Sequence, residues 1–162
     1  MSKTVAGRVV AITGGARGIG RAIASRLAAN GAHVAIGDRD LDGARATAQE
    51  LGGTVEAFAC DVTDSDSFGA FLHAVEDRWE AIDVLVNNAG VMWVGPFDQE
   101  PETAAESQLA VNLHGVIRGV KLAAPVMRDR GHGHIVTIAS AAAKLSPPGE
   151  AGLVQVPERS GS

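Results

Sequence analysis

The run Arg8-Val-Val-Ala-Ile-Thr-Gly-Gly-Ala-Arg-Gly-Ile-Gly20 constrains the fold more than any other stretch of this chain. Val9 to Ile12 is a short apolar run and reads as a buried parallel strand. It ends at Thr13-Gly14-Gly15, then passes through Gly18 and Gly20 into a helical pattern with Ile19, Ile23 and Leu27 on one stripe. Strand, glycine turn and helix start, in that order, bring unpaired backbone N–H groups and a positive helix end to one point. Such a point favours phosphate or pyrophosphate. Glycine suits it because a Cβ would hold the ligand off the backbone or block a positive φ. The spacing Gly-x-x-x-Gly-x-Gly is not the common Gly-x-Gly-x-x-Gly, and in a chain with 20 glycines the triplet alone is weak. The strand–turn–helix context carries the inference.

The rest of the chain alternates in the same way. Ala32 to Ile36 predicts a second strand closing on Gly37-Asp38-Arg39-Asp40, with Asp38 eighteen positions past Gly20. That offset suits an acid that meets the adenosine ribose hydroxyls, although Asp38 also reads as a turn residue or helix cap. Asp40 or Asp42 caps the next helix, which ends at Gly52-Gly53. Val55 to Cys60 predicts a third strand, and Asp64 or Ser65 caps a helix with Phe68, Phe71, Leu72, Val75 and Trp79 on one face. Ile82 to Val86 predicts a fourth strand before Asn87-Asn-Ala-Gly90. One long helix is expected from about Glu102 to Arg130, with Pro125 kinking it or starting its final turn, and a fifth strand from Ile135 to Ala139 ends at Ser140. Five strands separated by helices predict an α/β, doubly wound parallel sheet of order 3-2-1-4-5. The loops carrying Gly14 and Asn88 then share its carboxyl edge, where open sheets bind ligands.

Composition narrows the partners. A net charge of −5 argues against nucleic acid and anionic membrane, and no apolar run approaches the ~18 residues a membrane span needs. The single Cys60 suits a reducing cytoplasm, and it reads as a small buried apolar residue. His132 and His134 lack further ligands at metal spacing, so no metal is expected. Trp79 is expected in the core, and Trp93 toward the cleft or solvent.

Over roughly residues 5–152 the chain resembles the short-chain dehydrogenase/reductase family. Thr13-Gly-Gly-Ala-Arg-Gly-Ile-Gly20 looks like that family's cofactor turn, Asp61-Val62 like its adenine-contacting pair, and Asn87-Asn-Ala-Gly90 like its strand-four motif. Asn112 resembles the helical Asn that supports a proton relay, and Ser140 the serine that hydrogen-bonds the substrate. The resemblance implies a Rossmann-like domain, a nicotinamide cofactor and hydride transfer between an alcohol and a ketone. It implies cofactor contacts from Gly14, Arg17, Gly18, Ile19 and Gly20, from Asp38 and Arg39, from Asp61 and Val62, and from Asn88, Ala89 and Gly90. Asp38 repels a 2′-phosphate and favours NAD, while Arg17 and Arg39 leave NADP possible. By their own chemistry Asp61 also reads as a helix cap, Asn88 as a backbone brace and Ser140 as a turn hydroxyl.

The family's catalytic Tyr should fall at Leu153 and its Lys at Pro157, and the chain contains no Tyr at all. The expectation is therefore a cofactor domain over 1–152, truncated before the proton-transfer pair, with a non-homologous, disordered tail over 153–162. Asn112 and Ser140 would be vestigial, and the chain alone would be inactive. Other readings stay open: a non-catalytic cofactor-binding or dimerising module, a half-enzyme completed by a second chain, or a chain that never folds stably. An exposed fifth strand and the long helix predict a homo-oligomer or aggregation.

Overall fold

Alternate residues of Val9-Val10-Ala11-Ile12 serve two different cores, which is why the run is apolar throughout rather than every second residue. The computed structural model describes residues 5–140 of the 162. Leu153, Pro157 and the tail expected over 153–162 lie outside the described residues. Five parallel strands form one sheet: β1 (Val9–Thr13), β2 (His33–Asp38), β3 (Val55–Ala59), β4 (Val84–Asn87) and β5 (His134–Thr137). Their order is β3-β2-β1-β4-β5, as expected. Val10 and Ile12 pack with Ala24 of α1 (Gly18–Ala28) and Ala44 of α2 (Leu41–Leu51). Val9 and Ala11 face Phe68, Phe71, Leu72 and Val75 of α3 (Ser65–Trp79), with Ala123 and Met127 from the last helix. Trp79 packs at the margin of this second core.

Local chemistry settles the open caps. Asp40 starts α2 by accepting from the Gly43 amide at 3.0 Å, and Asp64 starts α3 by accepting from the Asp66 amide at 2.9 Å. Gly52, at φ +65°, ends α2.

Two expectations need correction. The expected long helix runs without a break from Glu102 to Asp129, but not as regular α-helix: α4 (Glu102–Gln108) passes into a π-helical segment (Leu109–Gly115) and then α5 (Val116–Asp129). The irregularity falls at the π segment, where the helix carries extra residues per turn, and Pro125 sits inside α5 without ending it. Ile19 leaves the expected core stripe and is 63% exposed, because it lines an open cleft instead of facing the sheet. Gly20 and Ala24 are the buried residues of that helix. At the other side, Val136 and Ile138 remain exposed, and among the described residues β5 pairs only with β4.

Asp83 ties three strands together at the amino edge. Its amide donates to Val9 O and its carbonyl accepts from the His134 amide, both at 2.9 Å. Its carboxylate accepts from the Val9 amide at 2.9 Å and from Arg8 at 2.8 Å. Burial raises this carboxyl's pKa, but the Val9 amide, Arg8 and His132 together outweigh burial and leave it below the ordinary value. Asp83→Ala is expected to lower stability at pH 7 by about 2 kcal/mol, a charged hydrogen-bond pair's worth. Because the native pKa is depressed, this contribution is present above the ordinary value of 3.8 and is lost as pH falls through the native one. Urea unfolding of both proteins at pH 7 and pH 3 checks it, and equal midpoints at pH 7 would remove the tie.

Candidate functional site

The carboxyl ends of β1 and β4 are adjacent, and the chain leaves them in opposite directions, which opens a crevice between their loops. Thr13 locks those loops together. Its hydroxyl donates to Val86 O at 3.4 Å and accepts from the Asn88 and Ala89 amides, each at 3.1 Å. Asn88 replies across the gap, donating Nδ2 to Thr13 O at 2.9 Å and to Gly14 O at 3.1 Å. This is the backbone brace that Asn88's chemistry suggested. Gly14 stands at φ +70°, and a Cβ there would lie 2.8 Å from Ala89 Cα. The glycine turn is therefore built against the Asn88–Gly90 loop with no room for a side chain at Gly14.

The helix that follows starts bare. Arg17 precedes α1 with extended backbone and no side-chain cap, and the first turn carries no acid. Its N–H groups and positive end are uncompensated by α1 itself. The turn is also held from the far side: Ala16 N donates to Asp38 Oδ2 at 3.0 Å, and Ala16 O accepts from Thr47 at 2.7 Å. Asp38 Oδ1 accepts from the Asp40 amide at 3.0 Å, so Asp38 positions the turn and Asp40 does the capping.

Asp61 is not a helix cap either. Its Oδ1 accepts from the Thr63 amide at 2.8 Å and the Thr63 hydroxyl at 2.7 Å. The Thr63 hydroxyl, despite opposing burial, and then the Thr63 amide, Arg39 and Arg118 hold its carboxyl below the ordinary range. Arg118 of α5 donates to Val62 O and to Ser65 Oγ, fixing the same turn. Beside it, burial and then Asp61 and Asp38 push the Cys60 thiol up to about 12. Cys60 is thus a protonated, buried thiol, as a small apolar residue would be.

Asn112 lies in the π segment. Its Oδ1 accepts from Val91 N at 2.9 Å and its Nδ2 donates to Val91 O at 2.8 Å. Ser140 is exposed at the end of the stretch following β5. Together these parts line a cleft of about 790 Å³, within the range of ligand sites. Of the fourteen candidate site residues, all but Gly20 line it. Gly20 lies behind the turn, where a Cβ would meet Gly14 O at 2.2 Å. Strand order sets the cleft's polarity. Asp38 and Asp61 follow β2 and β3 at one end, the glycine turn lies in the middle, and Asn88, Asn112 and Ser140 occupy the other.

The short chain dehydrogenase family profile matches residues 8–152. The chain belongs to that family. An uncharacterized oxidoreductase of Mycobacterium tuberculosis is 37% identical over 152 residues, spanning 93% of this chain and 62% of that protein. A metagenomic short-chain oxidoreductase solved in complex with NADP superposes with a TM-score of 0.83 at 38% identity, covering 93% of this chain and 70% of that one. The 3-ketoacyl-(acyl-carrier-protein) reductase of Brucella melitensis, complexed with NADH, superposes with a TM-score of 0.86 at 30% identity, covering 92% and 64%. The chain spans less than two thirds of the length of the curated relatives it matches first.

Residue-by-residue reading of the sequence overlooked Thr13 and Thr47 as functional supports. Both are polar residues among apolar neighbours, which was the available signal; what each holds depends on a loop 75 or 31 residues away. Trp93 does not line the cleft, and its ring lies against Gly95. Among the described residues no group of three or more His, Cys, Asp or Glu is arranged for a metal, and no helix is long and apolar enough to cross a membrane. His132 lies at the amino edge, 3.9 Å from Asp83.

Proposed function

We propose that this chain binds a nicotinamide dinucleotide, with NAD preferred over NADP, as the cofactor portion of a short-chain oxidoreductase. One observation carries the reading: a cleft along the sheet's carboxyl edge opens on an uncapped helix start whose turn has no room for a side chain at Gly14 or Gly20. In this reading the pyrophosphate lies on the turn formed by Gly14, Arg17, Gly18 and Ile19, with Gly20 behind it. Asp38 and Arg39 face the adenosine ribose, Asp61 and Val62 face the adenine, and Asn88, Ala89 and Gly90 border the nicotinamide half. When bound, the nicotinamide ring supplies a hydride acceptor or donor. Ser140 stands where a substrate oxygen would be held, and Asn112 orders the loop beside it.

The cofactor unit in this reading is 1–152. The chain has no Tyr, so it supplies no phenol to move the substrate proton, and we expect binding without alcohol oxidation by these 162 residues. Self-association belongs to the same reading: Leu109, Leu113, Ile117 and Val120 form an exposed apolar row along the π segment and α5.

Calorimetry tests the proposal. NAD is expected to bind more tightly than NADP, because a fixed carboxylate faces the 2′-phosphate. Asp38→Asn keeps the side chain's size and one acceptor oxygen, and should move the affinity ratio toward NADP by about tenfold. Folded protein that binds neither nucleotide would overturn the reading.

A further inference from the structure

Gln108 is nearly fully buried, at 3% exposure, on the last turn of a helix whose other described residues are half-buried or exposed. A buried amide must find partners for both ends, and this one finds both in the loop after β4. Its Oε1 accepts from Trp93 N at 3.2 Å, and its Nε2 donates to Glu100 Oε1 at 2.5 Å. Four residues on, Asn112 makes the pair of bonds to Val91 already described. Two amide side chains thus grip alternate backbone positions, Val91 and Trp93, as a neighbouring strand would. Met92 lies between the grips and lines the cleft, as does Ser140.

We propose that Gln108 is a positioning residue for the reacting end of the cleft. With Asn112 it holds the 91–93 backbone along the helix, so that Met92 walls the space shared by the nicotinamide half and a substrate. Glu100 completes the grip by accepting the amide hydrogen. The inference rests on the proposed cofactor site for its functional consequence, though not for the grip itself. It places an apolar thioether in the wall of the cleft that Ser140 also lines, which suits a substrate whose carbon skeleton is apolar.

The test separates grip from cofactor. The chain's two tryptophans are labelled with 5-fluorotryptophan, and Trp93→Phe assigns their ¹⁹F signals. Gln108→Met keeps the apolar volume and removes both bonds. It is expected to shift or broaden the Trp93 signal, leave Trp79 unmoved, and weaken NAD about three- to tenfold, the effect of one net hydrogen bond. ADP-ribose, which lacks the nicotinamide, should bind as to the parent. Glu100→Ala should reproduce these effects without altering the helix, and Glu100→Gln, which keeps an acceptor, should restore parental behaviour. A Trp93 signal and NAD affinity unchanged in both Gln108→Met and Glu100→Ala would overturn the proposal. So would equal losses for NAD and ADP-ribose with the Trp79 signal displaced, which would mark a general loss of structure. If the parent binds neither ligand, the cofactor reading and the positioning role built on it fail together, while the ¹⁹F signals still report the grip.

Discussion

Replacing Gly20 with alanine is expected to lower the unfolding free energy by about 3 kcal/mol and to eliminate NAD binding. The added Cβ would stand 2.2 Å from Gly14 O and 2.6 Å from Asn88 Nδ2. Neither can step aside cheaply. Gly14 is held by its amide to Gly37 O at 2.8 Å, and Asn88 Nδ2 is the donor that joins the two loops. Relief would have to move the glycine turn away from the Asn88–Gly90 loop, and the proposed phosphate cradle opens with it. Gly18→Ala provides the contrast. Nothing lies within 4 Å of that Cβ, but φ is +57°, so the variant should fold with a penalty of about 1 kcal/mol and place a methyl in the cleft. Urea unfolding followed by NAD calorimetry distinguishes the two, and parental binding by Gly20→Ala would refute the turn's proposed role.

Phe68→Ala is expected to destabilise the chain by about 3–5 kcal/mol. A domain of ordinary stability holds only about 5–15 kcal/mol in total, so much of the variant should unfold under mild conditions. Phe68 is fully buried, its ring centroid is 6.4 Å from that of Phe71, and it sits so close to α5 that a Cβ on Gly119 would come within 3.0 Å. Its neighbours in that core, Phe71 and Leu72 among them, are close-packed and can relax only partly into the void. The consequence reaches the cleft, because α5 carries Arg118, which holds the Val62 carbonyl and Ser65. Adenosine-end affinity should therefore fall in whatever fraction remains folded. Ile19→Ala, at a 63% exposed position, should change stability by no more than about 0.5 kcal/mol. A thermal melt of the three proteins checks the ranking, and a Phe68→Ala midpoint equal to that of Ile19→Ala would contradict it.

The reading from residues reached furthest where the information is local. Continuous apolar runs, glycine turns and capping acids sit within a few positions of what they organise. Strand order follows from that kind of signal, and the caps of α2 and α3 were each narrowed by it to two nearby residues, of which the structure chose Asp40 and Asp64. It faltered where the deciding partner is distant. Ile19 shares the helical period of Ile23 and Leu27, yet it lines the open cleft and not the core. The row of apolar residues from Leu109 to Val120 marks the helix but not the π geometry of its first part. Asn112's bonds to Val91 belong to a contact across 21 positions.

Sequence alone was sufficient for the family, the parallel sheet and the location of the cleft, because buried strands and glycine turns impose their composition on short stretches. Only the folded chain assigned the polar groups. Asp38 braces the glycine turn through Ala16, Asp61 binds Thr63, Thr13 couples two loops, and Gln108 grips the segment next to Met92. A hydrogen bond is made over about 3 Å whatever the separation along the chain, so its partner is decided by packing.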